Sequence, residues 1–114
     1  MYNQLRTTFP DYVILAQVAL SRVVTVKRGY PVREWNNRIN RMSLDFVVCR
    51  KDSSVVAAIE IDDRSHFRAD AQTRDAKKDA VLQAAGIPLF RWQARRLPDK
   101  AELITAIEAA RVRR

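Results

Sequence analysis

Two short apolar runs joined by a polar turn constrain this chain more than any other stretch. Ser43-Leu-Asp-Phe-Val-Val-Cys-Arg50 leads into Lys51-Asp-Ser-Ser54, and Val55-Val-Ala-Ala-Ile-Glu-Ile-Asp-Asp63 comes next. β-Branched and aromatic residues bounded by Asp and Ser form the pattern of a β-hairpin. A turn centred on Asp52-Ser53 pairs residues whose numbers sum to 105, so Val47 faces Ala58, Cys49 faces Val56 and Asp45 faces Glu60. Directly opposed residues have Cβ atoms roughly 4.5–5.5 Å apart, and like charges there repel. Asp62 lies two residues beyond Glu60 and shares its face by the strand period. Three carboxylates at one end of an apolar hairpin call for positive charge among them. Either a hard divalent cation takes oxygen ligands there, or the acids sit at a strand edge and arginines neutralise them.

Around the hairpin, the pattern predicts alternating helices and strands. Tyr2, Leu5 and Phe9 have helical spacing before Pro10-Asp11, and Tyr12-Val-Ile-Leu-Ala-Gln-Val18 reads as a first strand. Residues 19–27 suit either a helix or a strand, and residues 33–42 read as a loop with a short helix, Trp35, Ile39 and Met42 facing inward. A helix over 69–85 stops at Gly86 with Pro88 soon after. Ile87-Pro-Leu-Phe-Arg-Trp92 is the next strand. Asp99 then opens a last helix, with Glu102 in a capping-box position and Leu103, Ile104, Ile107 and Ala110 as its apolar stripe. This order predicts an α/β fold, a mixed β-sheet with helices packed on its faces.

The 114 residues suffice for one domain, spanning 1–114, and 47% apolar content with only two glycines is that of a folded domain. A net charge of +8 favours an anionic partner, nucleic acid first, over a merely solubilising surface. No apolar run approaches the roughly 20 residues of a membrane span, and the N-terminus lacks the order of a signal peptide. The only cysteine, Cys49, sits in an apolar run and reads as a buried structural thiol, which suits a reducing cytoplasm.

Beyond the acids lie Arg64, His66 and Arg68, and then a helix carrying Arg74, Asp75, Lys77 and Lys78. Arg74 and Lys78 are one helical turn apart. Carboxylates from a strand, a histidine from a loop and cations from a helix suit phosphodiester cleavage, with a metal activating water and cations stabilising the transition state. The plainer reading is a solvated helix face and an exposed histidine. Neither glycine belongs to a phosphate loop, and no nucleophile has a positioned base nearby.

The segments Leu44-Asp-Phe-Val-Val-Cys49, Ala57-Ala-Ile-Glu-Ile-Asp-Asp63 with His66, Arg74-Asp-Ala-Lys-Lys78 and Ala85-Gly-Ile-Pro-Leu-Phe-Arg91 together resemble an uncharacterised bacterial domain family of unknown function. That family falls in the PD-(D/E)XK nuclease superfamily, close to the very-short-patch-repair endonucleases. The resemblance spans roughly residues 12–96 and implies a restriction-endonuclease-like core with a four-stranded mixed sheet. It makes Asp45 the first aspartate, Glu60 the second acid and the Ile61 carbonyl a further ligand for Mg²⁺ or Mn²⁺. Two departures stand out. Asp62 occupies the place of the superfamily's lysine, so Lys78 or Arg74 must reach in from the helix, or catalysis is impaired. Repair-type relatives without that lysine use histidine, which raises His66 as general base or acid. Related domains also begin with a fuller helix bearing a glutamate, so the first helix is expected to be shortened here.

The expectation is a metal-dependent DNA endonuclease. Asp45, Glu60, Asp62, His66 and Lys78 are its catalytic residues, and Asp62 is a water-mediated or additional metal ligand. Arg64, Arg68, Arg74, Arg91, Arg95 and Arg96 are its phosphate-binding residues. A homodimer, or association with a larger DNA-processing protein, is compatible with this reading. The rivals are a nuclease-fold module that binds nucleic acid without turnover, and a domain whose basic charge docks it to a protein partner.

Overall fold

The computed structural model describes residues 1–23, 42–62 and 69–112, with the backbone alone at 69–75 and 112. Its elements are α1 (Tyr2–Thr8), β1 (Val13–Ala19), α2 (Leu20–Val23), β2 (Ser43–Cys49), β3 (Val55–Asp62), α3 (Ala69–Ala84), β4 (Leu89–Gln93) and α4 (Lys100–Val112). The expected segments at 24–41 and 63–68 lie outside the described residues.

The strands form one sheet in the order β1-β2-β3-β4. The first three are antiparallel neighbours, and β4 runs parallel to β3. Antiparallel partners need only a tight turn, whereas a parallel partner needs a long crossover; the chain between β3 and β4 contains α3. The fold is α/β, with a four-stranded mixed sheet flanked by helices, as the sequence predicts.

Each face has its own core. On one face Val47, Cys49 and Ala58 pack with Leu20 of α2, with Val81 and Leu82 of α3, and with Ile87. On the other, Ile14, Val48, Ala57 and Ile59 pack with Leu5 of α1 and with Leu103, Ile107 and Ala110 of α4. β3 lies between two strands and two helical layers, so Val56–Glu60 is buried without interruption, the signature of a strand covered on both sides. Ile104 departs from its expected place: it is 38% exposed, and Leu103, Ile107 and Ala110 carry the buried stripe of α4.

Local chemistry ends α3 and opens α4 where the sequence predicts, whereas the strand expected at residues 87–92 runs over Leu89–Gln93. α3 closes in a Schellman motif: Gly86, at φ +73°, donates to Gln83 O at 3.0 Å, and Ile87 donates to Leu82 O at 2.9 Å. Ile87 and Leu82 then share one core cluster. At the start of α4, the Glu102 N–H donates to Asp99 Oδ1 at 2.8 Å, while the Asp99 N–H donates to Glu102 Oε1 at 3.2 Å. This is a reciprocal capping box.

The hairpin register carries one correction. At the tip Ser53, at φ +75°, donates to Arg50 O, and the Arg50 N–H donates to Ser54 O. Asp52 Oδ1 accepts the Ser54 N–H at 2.9 Å and the Ser54 hydroxyl at 2.6 Å. This tight tip pairs Cys49 with Val55, not with Val56. The register shifts between Val48 and Cys49, leaving Val56 as the extra residue, and from Val48↔Ala57 to Phe46↔Ile59 the expected pairing holds. A bulge of this kind leaves one residue unpaired and resets the register of the strand beyond it.

Candidate functional site

Asp45 and Glu60 are brought together at the end of the sheet, one register step beyond the Phe46↔Ile59 pair. Asp45 Oδ2 accepts the Ile61 backbone N–H at 2.7 Å, so the first acid is tied to the strand that carries the second. On its other side Asp45 stands opposite Gln17, which the β1–β2 pairing skips and whose φ is +53°. β1 changes face there, since Ile14 packs toward α1 and α4 while Val18 packs toward α3. The acid thus lies beside a local break in an otherwise continuous ladder.

Glu60 is the buried charged residue among the described ones, at 8% exposure. Its carboxylate receives Lys78 Nζ from α3 in a close ion pair. The same ammonium donates to Ser43 O at 2.9 Å. Lys78 therefore bridges the start of β2 and the end of β3 from the helix above them. Burial is the largest influence on Glu60 and lifts its pKa above the ordinary glutamate value. Lys78 opposes that rise through its hydrogen bond and its charge, and Asp45 adds to it.

Beside Glu60 in the parallel register lies Arg91, whose guanidinium donates to Asp79 Oδ1 of α3 at 2.7 Å. Asp62 pairs with Gln93 in register, and its carbonyl accepts the Ala94 N–H. It does not complete a cage: among the described residues, no three acids, histidines or cysteines gather in a way that could hold a cation. The expected crowd of three carboxylates is a pair. Asp62 lies two residues further along β3, and the cation answering Glu60 comes from a helix.

Arg95 and Arg96 are exposed in the turn after β4. Arg74 lies on α3, one turn before Lys78, with only its backbone described. His66, Arg64 and Arg68 lie outside the described residues. Sequence reasoning missed Asp79, Gln17 and the Ser43 carbonyl. Asp79 could have been suspected from its place beside Lys78, but nothing local signals a backbone acceptor or a skipped pair.

Asp45 and Glu60, on adjoining strands, place together oxygen donors of the kind a hard cation takes, and Glu60 already receives the Lys78 ammonium. Among the described residues, no helix is long and apolar enough to cross a membrane. Comparison with known proteins returned one family model, described as a protein of unknown function (DUF2726), matching residues 1–110. No curated protein and no solved structure matches the chain.

Proposed function

We propose that this chain, which belongs to the DUF2726 family, is a metal-dependent DNA endonuclease of the PD-(D/E)XK kind. The observation that carries the reading is the position of Lys78: a helix-borne ammonium sits on Glu60, beside Asp45. A lysine next to the second acid is what the superfamily pattern requires, and here Asp62 stands at its usual strand position. The mixed sheet with helices on both faces supports a restriction-endonuclease-like core.

In this reading Asp45, Glu60 and the Ile61 carbonyl hold Mg²⁺ or Mn²⁺. A bound ion of this type supplies Lewis-acid stabilisation and a water of lowered pKa. The Ile61 N–H orients the Asp45 carboxylate, so one donor is aimed before any ligand arrives. Lys78 places positive charge where negative charge develops on the scissile phosphate. His66, the repair-type alternative to a strand lysine, takes or gives the proton. Arg91, Arg95 and Arg96, with Arg64, Arg68 and Arg74, draw in the DNA backbone under a net charge of +8.

The second reading is a nuclease-fold module that binds nucleic acid, or a larger DNA-processing protein, without turnover. The same ion pair favours it, because a Glu60 already neutralised by Lys78 has less need of a metal. The deciding experiment is cleavage of single-stranded, duplex, mismatched and branched DNA with Mg²⁺ or Mn²⁺, run beside Glu60→Ala. Metal-dependent cleavage that vanishes in the variant supports the nuclease. Metal-independent binding by both proteins, with no cleavage, replaces it with the binding module.

A further inference from the structure

Lys78 has two acceptors of different kinds, and the difference matters for what else can occupy the site. One is the Glu60 carboxylate, an anion that a cation would also seek. The other is Ser43 O, a neutral carbonyl at 2.9 Å on the neighbouring strand. Both side chains of the ion pair are largely shielded, at 14% exposure for Lys78 and 11% for Glu60. Charge-assisted hydrogen bonds are stronger than neutral ones, and more so away from water. A buried acid left without its partner is correspondingly unfavourable.

We infer that Lys78 is a built-in stand-in for the metal ion: it occupies the cation position on Glu60 and must be displaced before a divalent cation can bind there. This inference rests on the metal-dependent reading above and adds a regulation to it. Ser43 O keeps the ammonium tethered when the Glu60 contact opens, so displacement is a shift between two sides of one site. The released charge remains within reach of a phosphate bound beside Glu60. Metal entry and the arming of Lys78 are then one event, and cation affinity is set lower than the two carboxylates alone would give. Without Lys78, Glu60 loses the ammonium on its carboxylate while Asp45 remains beside it, and such an acid pair attracts a cation more strongly.

The consequence separates affinity from activity. Lys78→Met keeps most of the side chain's length and removes its charge. It is expected to bind Mn²⁺ roughly tenfold tighter than the unaltered protein, the scale of one hydrogen bond to a charged group, while cleaving DNA far more slowly. Calorimetric titration of Mn²⁺ into the full chain, its Lys78→Met and Lys78→Gln variants and Glu60→Gln reads this without any substrate. Tighter binding in the Lys78 variants, lost in Glu60→Gln, supports the inference. Equal or weaker binding in the Lys78 variants overturns it and leaves the metal-dependent reading standing. No Mn²⁺ binding by any of the proteins overturns both.

A second measurement needs no variant. The Nζ resonance of Lys78 in ¹⁵N-lysine-labelled protein is expected to shift when diamagnetic Mg²⁺ saturates the site. An unmoved resonance in a protein that binds Mg²⁺ rejects the displacement.

Discussion

The Asp45 carboxylate accepts the backbone N–H of Ile61 at 2.7 Å, so a side chain from β2 satisfies a main-chain donor at the end of β3. One group thereby serves the fold and the candidate site together. Asp45→Ala leaves a partly buried donor without its acceptor, which costs about 1–3 kcal/mol. Asp45→Asn retains an acceptor oxygen and is expected to lose much less stability, while still losing metal-dependent activity. Urea unfolding of both variants checks this, and equal destabilisation would sink the hydrogen-bond account.

Glu60 gives stability a predictable pH dependence. Its folded pKa lies above the ordinary value of 4.5, with burial as the main cause. Between the unfolded and the folded value, the folded protein holds a proton that the unfolded chain has released. The associated stability is fully present below the unfolded value and is lost as pH rises through the folded one. In metal-free buffer, the stability of the unaltered protein should decline upward from about pH 4.5. Glu60→Gln has no such titration and should flatten that part of the curve. Denaturation midpoints across the acid range, compared between the two proteins, test the sign.

Arg91 lies beside Glu60 in register and is paired with Asp79. If Arg91 contacts the DNA backbone, Asp79 competes with phosphate for it. Arg91→Ala should weaken DNA binding and reduce the slope of log affinity against log salt by about 1. Asp79→Ala should tighten binding, because it removes a repelling acid and loosens the arginine. Binding isotherms over a range of salt concentrations check both directions; tightening in Arg91→Ala would exclude it from the interface.

Gly86 terminates α3 at φ +73°, where a side-chain methyl would meet nothing within 4 Å. Gly86→Ala therefore carries only the backbone penalty of a left-handed residue, partly offset by a less flexible unfolded chain. The expected loss is about 1 kcal/mol, read by chemical denaturation, with the fold unchanged. A much larger loss would mean that the space around Gly86 is not open.

Legibility in the sequence tracked the range of the interaction. The Schellman end of α3 and the capping box of α4 were readable because each is closed by residues within six positions of one another. The hairpin register near the acids was also expected correctly, though for an incomplete reason. The tip is one residue tighter than a turn centred on Asp52-Ser53, and the bulge at Val56 restores the alignment. Had the tip register continued, every later side chain would have moved to the other face. The exposure of Ile104 and the pairing of Arg91 with Asp79 had no local signature.

By itself, the sequence determined the hairpin, the end of α3 and the start of α4, the opposed acids Asp45 and Glu60, and the basic balance of the chain, while it left residues 19–27 open between a helix and a strand, where α2 (Leu20–Val23) forms. Periodicity, caps and turn residues act between near neighbours, and composition needs no geometry. The tertiary structure decided which cation answers the acids. Only the docking of α3 on the sheet brings Lys78, eighteen residues from Glu60 and thirty-five from Ser43, onto both. Packing at such separations depends on how two buried surfaces fit, and no spacing along the chain encodes that fit.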